Sequence, residues 1–119
     1  MTAKVPQGWH SLTPRIMTDD APWLVEFLQR VFGATGEFRE GMPAEMRIGD
    51  SVLMVSGTGA RARHTACLYV YVDDADATFA AAVGLGSIPL EEPRAVPYGD
   101  RRAMFEDSWG NTWQVATRS

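Results

Sequence analysis

Few side chains in this chain of 119 residues have the chemistry for catalysis or metal binding. There are two histidines, His10 and His64, and one cysteine, Cys67. A metal held by these would need carboxylate or amide partners, since a single thiolate does not retain Zn²⁺ alone. Cys67 as a nucleophile would need a neighbouring base or a depressed pKa. It stands at the start of an expected strand, beside no helix N-terminus, which favours a buried structural thiol. Asp19, Asp20, Asp73 and Asp74 read as helix-start residues, while Glu26 and Glu45 are available as bases that nothing singles out. The chain has no Gly-rich phosphate loop, no Cys-x-x-Cys, no His-Glu-x-x-His and no Gly-x-Ser-x-Gly.

Composition narrows the partners. At 45% hydrophobic and 22% charged, the chain suits one compact domain spanning residues 1–119. Eleven basic against fifteen acidic residues give a formal net charge of −4, with no Lys/Arg run, which argues against nucleic acid. One cysteine permits no intrachain disulfide and suggests a reducing compartment. Met1 to His10 shows no apolar signal-peptide core, and no apolar run approaches the roughly 20 residues of a membrane helix. No membrane partner and a cytoplasmic location are expected by default.

The elements that must position these residues come from a repeat. Thr13-Pro14-Arg15-Ile16-Met17-Thr18-Asp19-Asp20-Ala21 lies over Cys67-Leu68-Tyr69-Val70-Tyr71-Val72-Asp73-Asp74-Ala75 at an offset of 54 residues. Each copy is a β-rich run, an acidic pair and a helix. Asp20 and Asp74 are expected to cap the two helices, with Pro22 just inside the first. Leu24, Phe27, Leu28, Val31 and Phe32 form one apolar face, and Gly33 stops that helix. The second helix is alanine-rich, takes bulk from Phe79 and Val83, and ends around Gly84 to Gly86. Short strands are predicted at Glu37–Arg39, Glu45–Ile48 and Ser51–Ser56, then at Ile88–Glu91, Arg101–Glu106 and Thr112–Ala116. The prediction is therefore an α+β fold of two tandem βαβββ modules. They cover about residues 10–56 and 65–117, with Gly57 to Arg63 as link, their sheets cupped around a cleft.

The last hairpin, Phe105-Glu106-Asp107-Ser108-Trp109-Gly110-Asn111-Thr112-Trp113-Gln114, resembles the signature Asp-Pro-x-Gly-Asn-x-x-Glu of the vicinal oxygen chelate superfamily. That superfamily holds glyoxalases, extradiol dioxygenases and bleomycin or fosfomycin resistance proteins. The duplicated βαβββ pattern is its architecture. Val31-Phe32-Gly33-Ala34, Ile48-Gly49-Asp50-Ser51-Val52-Leu53-Met54 and Pro97-Tyr98-Gly99-Asp100-Arg101-Arg102 are similar to runs in small bacterial PhnB-like members. The resemblance implies four metal-ligand positions, which fall here on Thr13, Leu53 or Met54, Cys67 and Gln114. None is His, Asp or Glu, so no metal and no other cofactor is expected. His10 and His64 each lie three residues before a ligand position, an odd step that turns them to the other strand face unless a bulge intervenes.

The same alternation, started from the positions the resemblance implies, selects what would line the cleft. From Thr13 it picks Arg15 and Met17, from Cys67 it picks Tyr69 and Tyr71, and from Gln114 it picks Thr112 and Ala116. By resemblance, Arg102 and Met104 point inward and Tyr98 sits on the entering loop. The expected ligand-binding set is Arg15, Met17, Tyr69, Tyr71, Tyr98, Arg102, Met104 and Gln114: aromatic, methionine-bearing, with two guanidinium groups. Each has a plainer reading as strand packing or core filler, and Arg101-Arg102 as a pair balancing Glu91 and Glu92. Trp113 should face away from Gln114's side. The set suits a metal-independent protein that sequesters an aromatic or partly anionic small molecule, as in the bleomycin-resistance branch. The alternatives are a glyoxalase- or dioxygenase-like enzyme with a non-standard or metal-free site, and a scaffold module without ligand. Edge strands and the family's habit of pairing modules imply a homodimer.

Overall fold

The computed structural model describes residues 4–59 and 61–118. Met1 to Ala3, at the head of the segment read for a signal peptide, and Ala60, within the expected link, lie outside them. The chain divides into two compact units, Met1–His64 and Thr65–Ser119.

The first unit holds β1 (Arg15–Met17), α1 (Ala21–Phe32), β2 (Ala44–Ile48) and β3 (Ser51–Ser56). Its sheet has the order β1-β3-β2, with β1 parallel and β2 antiparallel to β3. Leu24, Phe27, Leu28 and Val31 are buried as their spacing predicts, and Val25 joins them, while Phe32 is only half-buried. They share the core with Ile16, Ala44, Met46, Leu53 and Val55. Gly33 closes α1 in the left-handed conformation at φ 65°. Asp20 takes the N-cap position, but its side chain makes no capping bond. The reason is local: the second helical residue is Pro22, which has no N–H to offer, and the third, Trp23, donates its N–H to the Asp20 carbonyl at 3.1 Å.

One predicted strand is missing. Glu37–Arg39 forms no strand; only single bridges join Thr35 to Arg47 and Arg39 to Met42. Gly36 at φ 116° and Gly41 at φ 72° bend the segment out of strand geometry. Gly36 packs so tightly on the Glu45 carbonyl that a Cβ there would collide with it. The first unit is thus βαββ, with two single bridges where its second strand was predicted.

The second unit is complete: β4 (Cys67–Tyr71), α2 (Ala75–Gly84), β5 (Ile88–Ala95), β6 (Asp100–Glu106) and β7 (Thr112–Arg118). Its sheet has the order β4-β7-β6-β5, with β4 parallel to β7 and the other pairs antiparallel. Here the cap forms as predicted, Asp74 Oδ1 accepting from the Ala77 N–H at 3.1 Å. Ala21 and Ala75, the first residues of α1 and α2, are 54 residues apart, the offset of the repeat. The core is Phe79 and Ala82 of α2 against Ala103, Phe105, Trp113 and Val115 of β6 and β7.

Candidate functional site

The terminal hairpin explains its own signature. Asp107 is 2% exposed and its carboxylate gathers four donors: the N–H of Trp109 and of Asn111 at 2.9 Å each, Asn111 Nδ2 at 3.0 Å and the Trp113 indole at 2.8 Å. Asn111 Oδ1 in turn accepts the Ala66 N–H at 2.9 Å, fastening the turn to the entry of β4. Gly110 turns the chain at φ 89°, a conformation only glycine takes freely. Asp107, Gly110 and Asn111 are therefore structural, and they lock the strand that carries position 114.

Strand pleating then sorts the second unit's side chains. Arg101 is held by Asp76 of α2 through Nε at 2.6 Å and Nη2 at 2.9 Å, so odd-numbered positions of β6 face the helix. Arg102 and Met104 face the other way. Register places Tyr69 beside Gln114, Gln114 beside Met104 and Met104 beside Glu91, in one row across the four strands. The next row is Tyr71, Ala116, Arg102 and Arg94. The helix-free face therefore brings together Tyr69, Tyr71, Arg102, Met104 and Gln114, and Tyr98 reaches it by accepting a hydrogen bond from Arg102 Nη1 at 2.7 Å. Trp113 lies on the opposite side, fully buried.

The polar groups of this face form two clusters. Arg102 grips Glu91 with both ends of its fork, Nε to Oε1 at 2.8 Å and Nη2 to Oε2 at 3.1 Å. Both side chains are largely sheltered, at 16% and 20% exposure. The hydrogen bonds from Arg102 hold the Glu91 carboxyl below the usual carboxylate range against the opposing effect of burial, and raise the guanidinium in turn. In the second cluster, Tyr69 and Tyr71 both donate their hydroxyls to Asp100 Oδ2, at 2.8 and 2.9 Å. Arg118 Nε donates to Asp100 Oδ1 at 2.6 Å, and its guanidinium lies 5.8 Å from the Tyr71 ring centre. Burial pushes the Asp100 carboxyl up, but the hydrogen bonds from Tyr69, Tyr71 and Arg118 outweigh it and hold it below the ordinary value. Tyr69 moves the other way: loss of water around its hydroxyl, then the bond to Asp100 and that group's charge, raise it above a normal phenol. Ala116 explains how both rings cross β7 to reach Asp100. It is the small residue beneath that path and is fully buried.

Asp100 and Arg118 were missed by the sequence reading, yet the same two-residue step reaches both, from Arg102 back to Asp100 and from Ala116 on to Arg118. Arg15 and Met17 belong to the first unit. Arg15 is exposed and donates from Nε to Ser56 Oγ at 2.9 Å, whereas Met17 is buried at 7% exposure. Cys67 corrects an expectation, since it is exposed rather than buried. An even step from Tyr69 puts it on the helix-free face, where nothing of the core covers it.

The residues at the implied metal positions do not form a donor set. They are the hydroxyl of Thr13, the buried Leu53 or the half-buried Met54, the thiol of Cys67 and the Gln114 amide, whose Nε2 contacts Met104 Sδ at 3.7 Å. Among the described residues no three His, Cys, Asp or Glu side chains gather as a metal site. His10 is exposed and bonds the Asp50 carbonyl at 2.9 Å, and exposed His64 makes a backbone bridge to Met17. Such residues do not fit a divalent ion of the glyoxalase type.

Residues 10–115 match the family model of the Glyoxalase/Bleomycin resistance protein/Dioxygenase superfamily. The chain belongs to that superfamily. Solved structures agree in fold. TioX from Micromonospora sp. ML1 is 22% identical, with a TM-score of 0.76 over 92% of this chain and 99% of that one. A superfamily enzyme from Burkholderia phytofirmans PsJN is 18% identical, with a TM-score of 0.74 over 90% of this chain and 97% of its own. A protein from the mobile metagenome of V. pseudocholerae is 21% identical, with a TM-score of 0.73 over 100% of this chain and 99% of its own. No curated protein matches the chain. Among the described residues no helix is long and apolar enough to cross a membrane.

Proposed function

We propose that this superfamily member is a metal-independent small-molecule binding protein that holds an aromatic compound against the helix-free face of its second unit. The observation that carries the reading is the Tyr69–Tyr71 pair, ring centres 5.4 Å apart and tilted by 55°, exposed at 38% and 56% yet pinned by Asp100. Exposed aromatic rings held still give contact area at low entropic cost, which suits stacking. The guanidiniums of Arg102 and Arg118 are matched by Glu91 and Asp100, so they offer flat stacking surfaces rather than free charge. An enzyme of glyoxalase or dioxygenase kind would need a donor set that Thr13, Cys67 and Gln114 do not supply. A homodimer belongs to this reading, because β4 and β5 are the outer strands of the sheet and outer strands favour cover.

The test is NMR titration of the labelled protein with quinoline and, separately, with Zn²⁺ and Mn²⁺. Saturable quinoline shifts centred on residues 69–71, 102 and 114, abolished in Tyr69→Leu/Tyr71→Leu, are expected. Stoichiometric metal binding through Cys67 or Gln114, or quinoline shifts that never saturate, would overturn the reading.

A further inference from the structure

Resting on that reading, we infer that Asp100 sets the hydrogen-bond polarity of the tyrosine pair, so that the face selects aromatic compounds carrying an N–H or O–H donor. A phenol has one proton to donate and two lone pairs to accept with. Tyr69 and Tyr71 both spend their proton on the same oxygen, Asp100 Oδ2. Asp100 is 2% exposed and its other oxygen is taken by Arg118, so the carboxylate stays where both phenols can reach it. What the two hydroxyls can still offer outward is acceptance, on the lone pairs left once Tyr71 has taken Arg118 Nη2 at 3.2 Å. Gln114 spends one Nε2 N–H on Met104 Sδ at 3.7 Å, and its Oε1 adds a further acceptor to the face. Arg102, the strongest donor nearby, is occupied by Glu91 and Tyr98. Tyr98 accepts from Arg102 Nη1 on its oxygen and is in hydrogen-bonding contact with Tyr69.

A ligand stacked on the pair displaces water from these oxygens. One bearing a suitably placed N–H or O–H replaces the lost bond, and one without it leaves an acceptor unmet. Asp100 touches no ligand in this scheme. It is a positioning residue that acts through Tyr69 and Tyr71.

Indole and benzofuran have nearly the same shape and differ in N–H against ring oxygen, so their affinity ratio reads polarity and not stacking. NMR titration of the wild-type protein is expected to favour indole about fivefold or more. In Asp100→Asn, the new amide donates to one phenol and frees a proton on the pair, and the ratio should fall to about twofold or less. Because that variant removes a buried charge, Tyr69→Phe/Tyr71→Phe serves as the second arm, with the indole-to-benzofuran ratio collapsing toward one. Equal binding of both compounds to the wild type overturns the polarity inference and leaves the aromatic-binding reading standing. Binding of neither overturns both. An unchanged ratio in the Phe/Phe variant shows that the preference arises elsewhere and also overturns it.

Discussion

Replacing Asp107 should be among the most damaging single changes in the second unit. In Asp107→Ala, three donors lose their acceptor inside the protein: the Asn111 N–H, Asn111 Nδ2 and the indole of Trp113, itself 0% exposed. The fourth, the Trp109 N–H, is only partly buried and can turn to water. A buried donor left unmet costs about 1–3 kcal/mol, and bonds to a charged acceptor lie at the upper end. The three share one acceptor and relax together, so their costs do not simply add, and the expected loss is about 3–6 kcal/mol. Against the roughly 5–15 kcal/mol that holds a domain of this kind folded, that is about a fifth of the stability or more. Asp107→Asn keeps the volume and one oxygen but sets an NH₂ against the donors of Asn111 or Trp113, and about 2–4 kcal/mol is expected. Asp19→Ala is the control, because among the described residues that exposed carboxylate takes only the Thr58 hydroxyl at 3.1 Å, and its removal should stay within about 0.5 kcal/mol. Urea unfolding followed by tryptophan fluorescence and far-UV circular dichroism measures all three. If both Asp107 variants fall within about 1 kcal/mol of the wild type at unchanged m-value, the buried-donor reasoning is wrong.

Three further outcomes are expected. In a Tyr71→Phe/Tyr98→Phe background Tyr69 is the sole tyrosine, and its near-UV phenolate signal should appear above the ordinary midpoint of about 10; Asp100→Asn should bring it down. A raised folded pKa means the contribution is complete below about pH 10 and is lost as pH rises through the folded value. For Asp100 and Glu91 the sign reverses: their folded values are depressed, so their contribution is complete above about pH 4 and is lost as pH falls through those values. Acid unfolding of Asp100→Asn and Glu91→Gln should therefore show a flatter pH dependence than the wild type. Gly36→Ala should lose about 1–3 kcal/mol or more in urea, since position 36 holds φ 116° and abuts the Glu45 carbonyl; a neutral result would deny that contact.

The repeat was legible because it is written in local rules. The 54-residue offset, the acidic residue before each helix and the apolar spacing of α1 all act within a few turns of chain. Glu37–Arg39 misled because its composition permits a strand while Gly36 and Gly41, which take positive φ, forbid one; glycine identity alone does not reveal φ. Asp20 misled because the cap preference assumes an N–H that Pro22 removes. Tyr69 and Tyr71 followed by alternation from the position the resemblance implied at Cys67, and Arg102, Met104 and Gln114 from the resemblance itself. The charge balance of the face they form was half legible: Arg102 does pair with Glu91, as the plainer reading of Arg101-Arg102 had it, but Arg101 turns to Asp76, and the β5–β6 register carries two irregularities that no pattern announces. Cys67 was placed inside because nothing beside it activates a thiol, whereas its strand face decides its exposure.

Strand β7 alternates not only buried and open residues but obligation and freedom. Asn111 and Trp113 are committed to Asp107, and Val115 to the core, whereas Gln114 answers only to a thioether contact with Met104. A change at 114 therefore meets almost none of the forces that hold the hairpin shut. The chain can change the side chain it presents at this position one substitution at a time, with its architecture left out of the exchange.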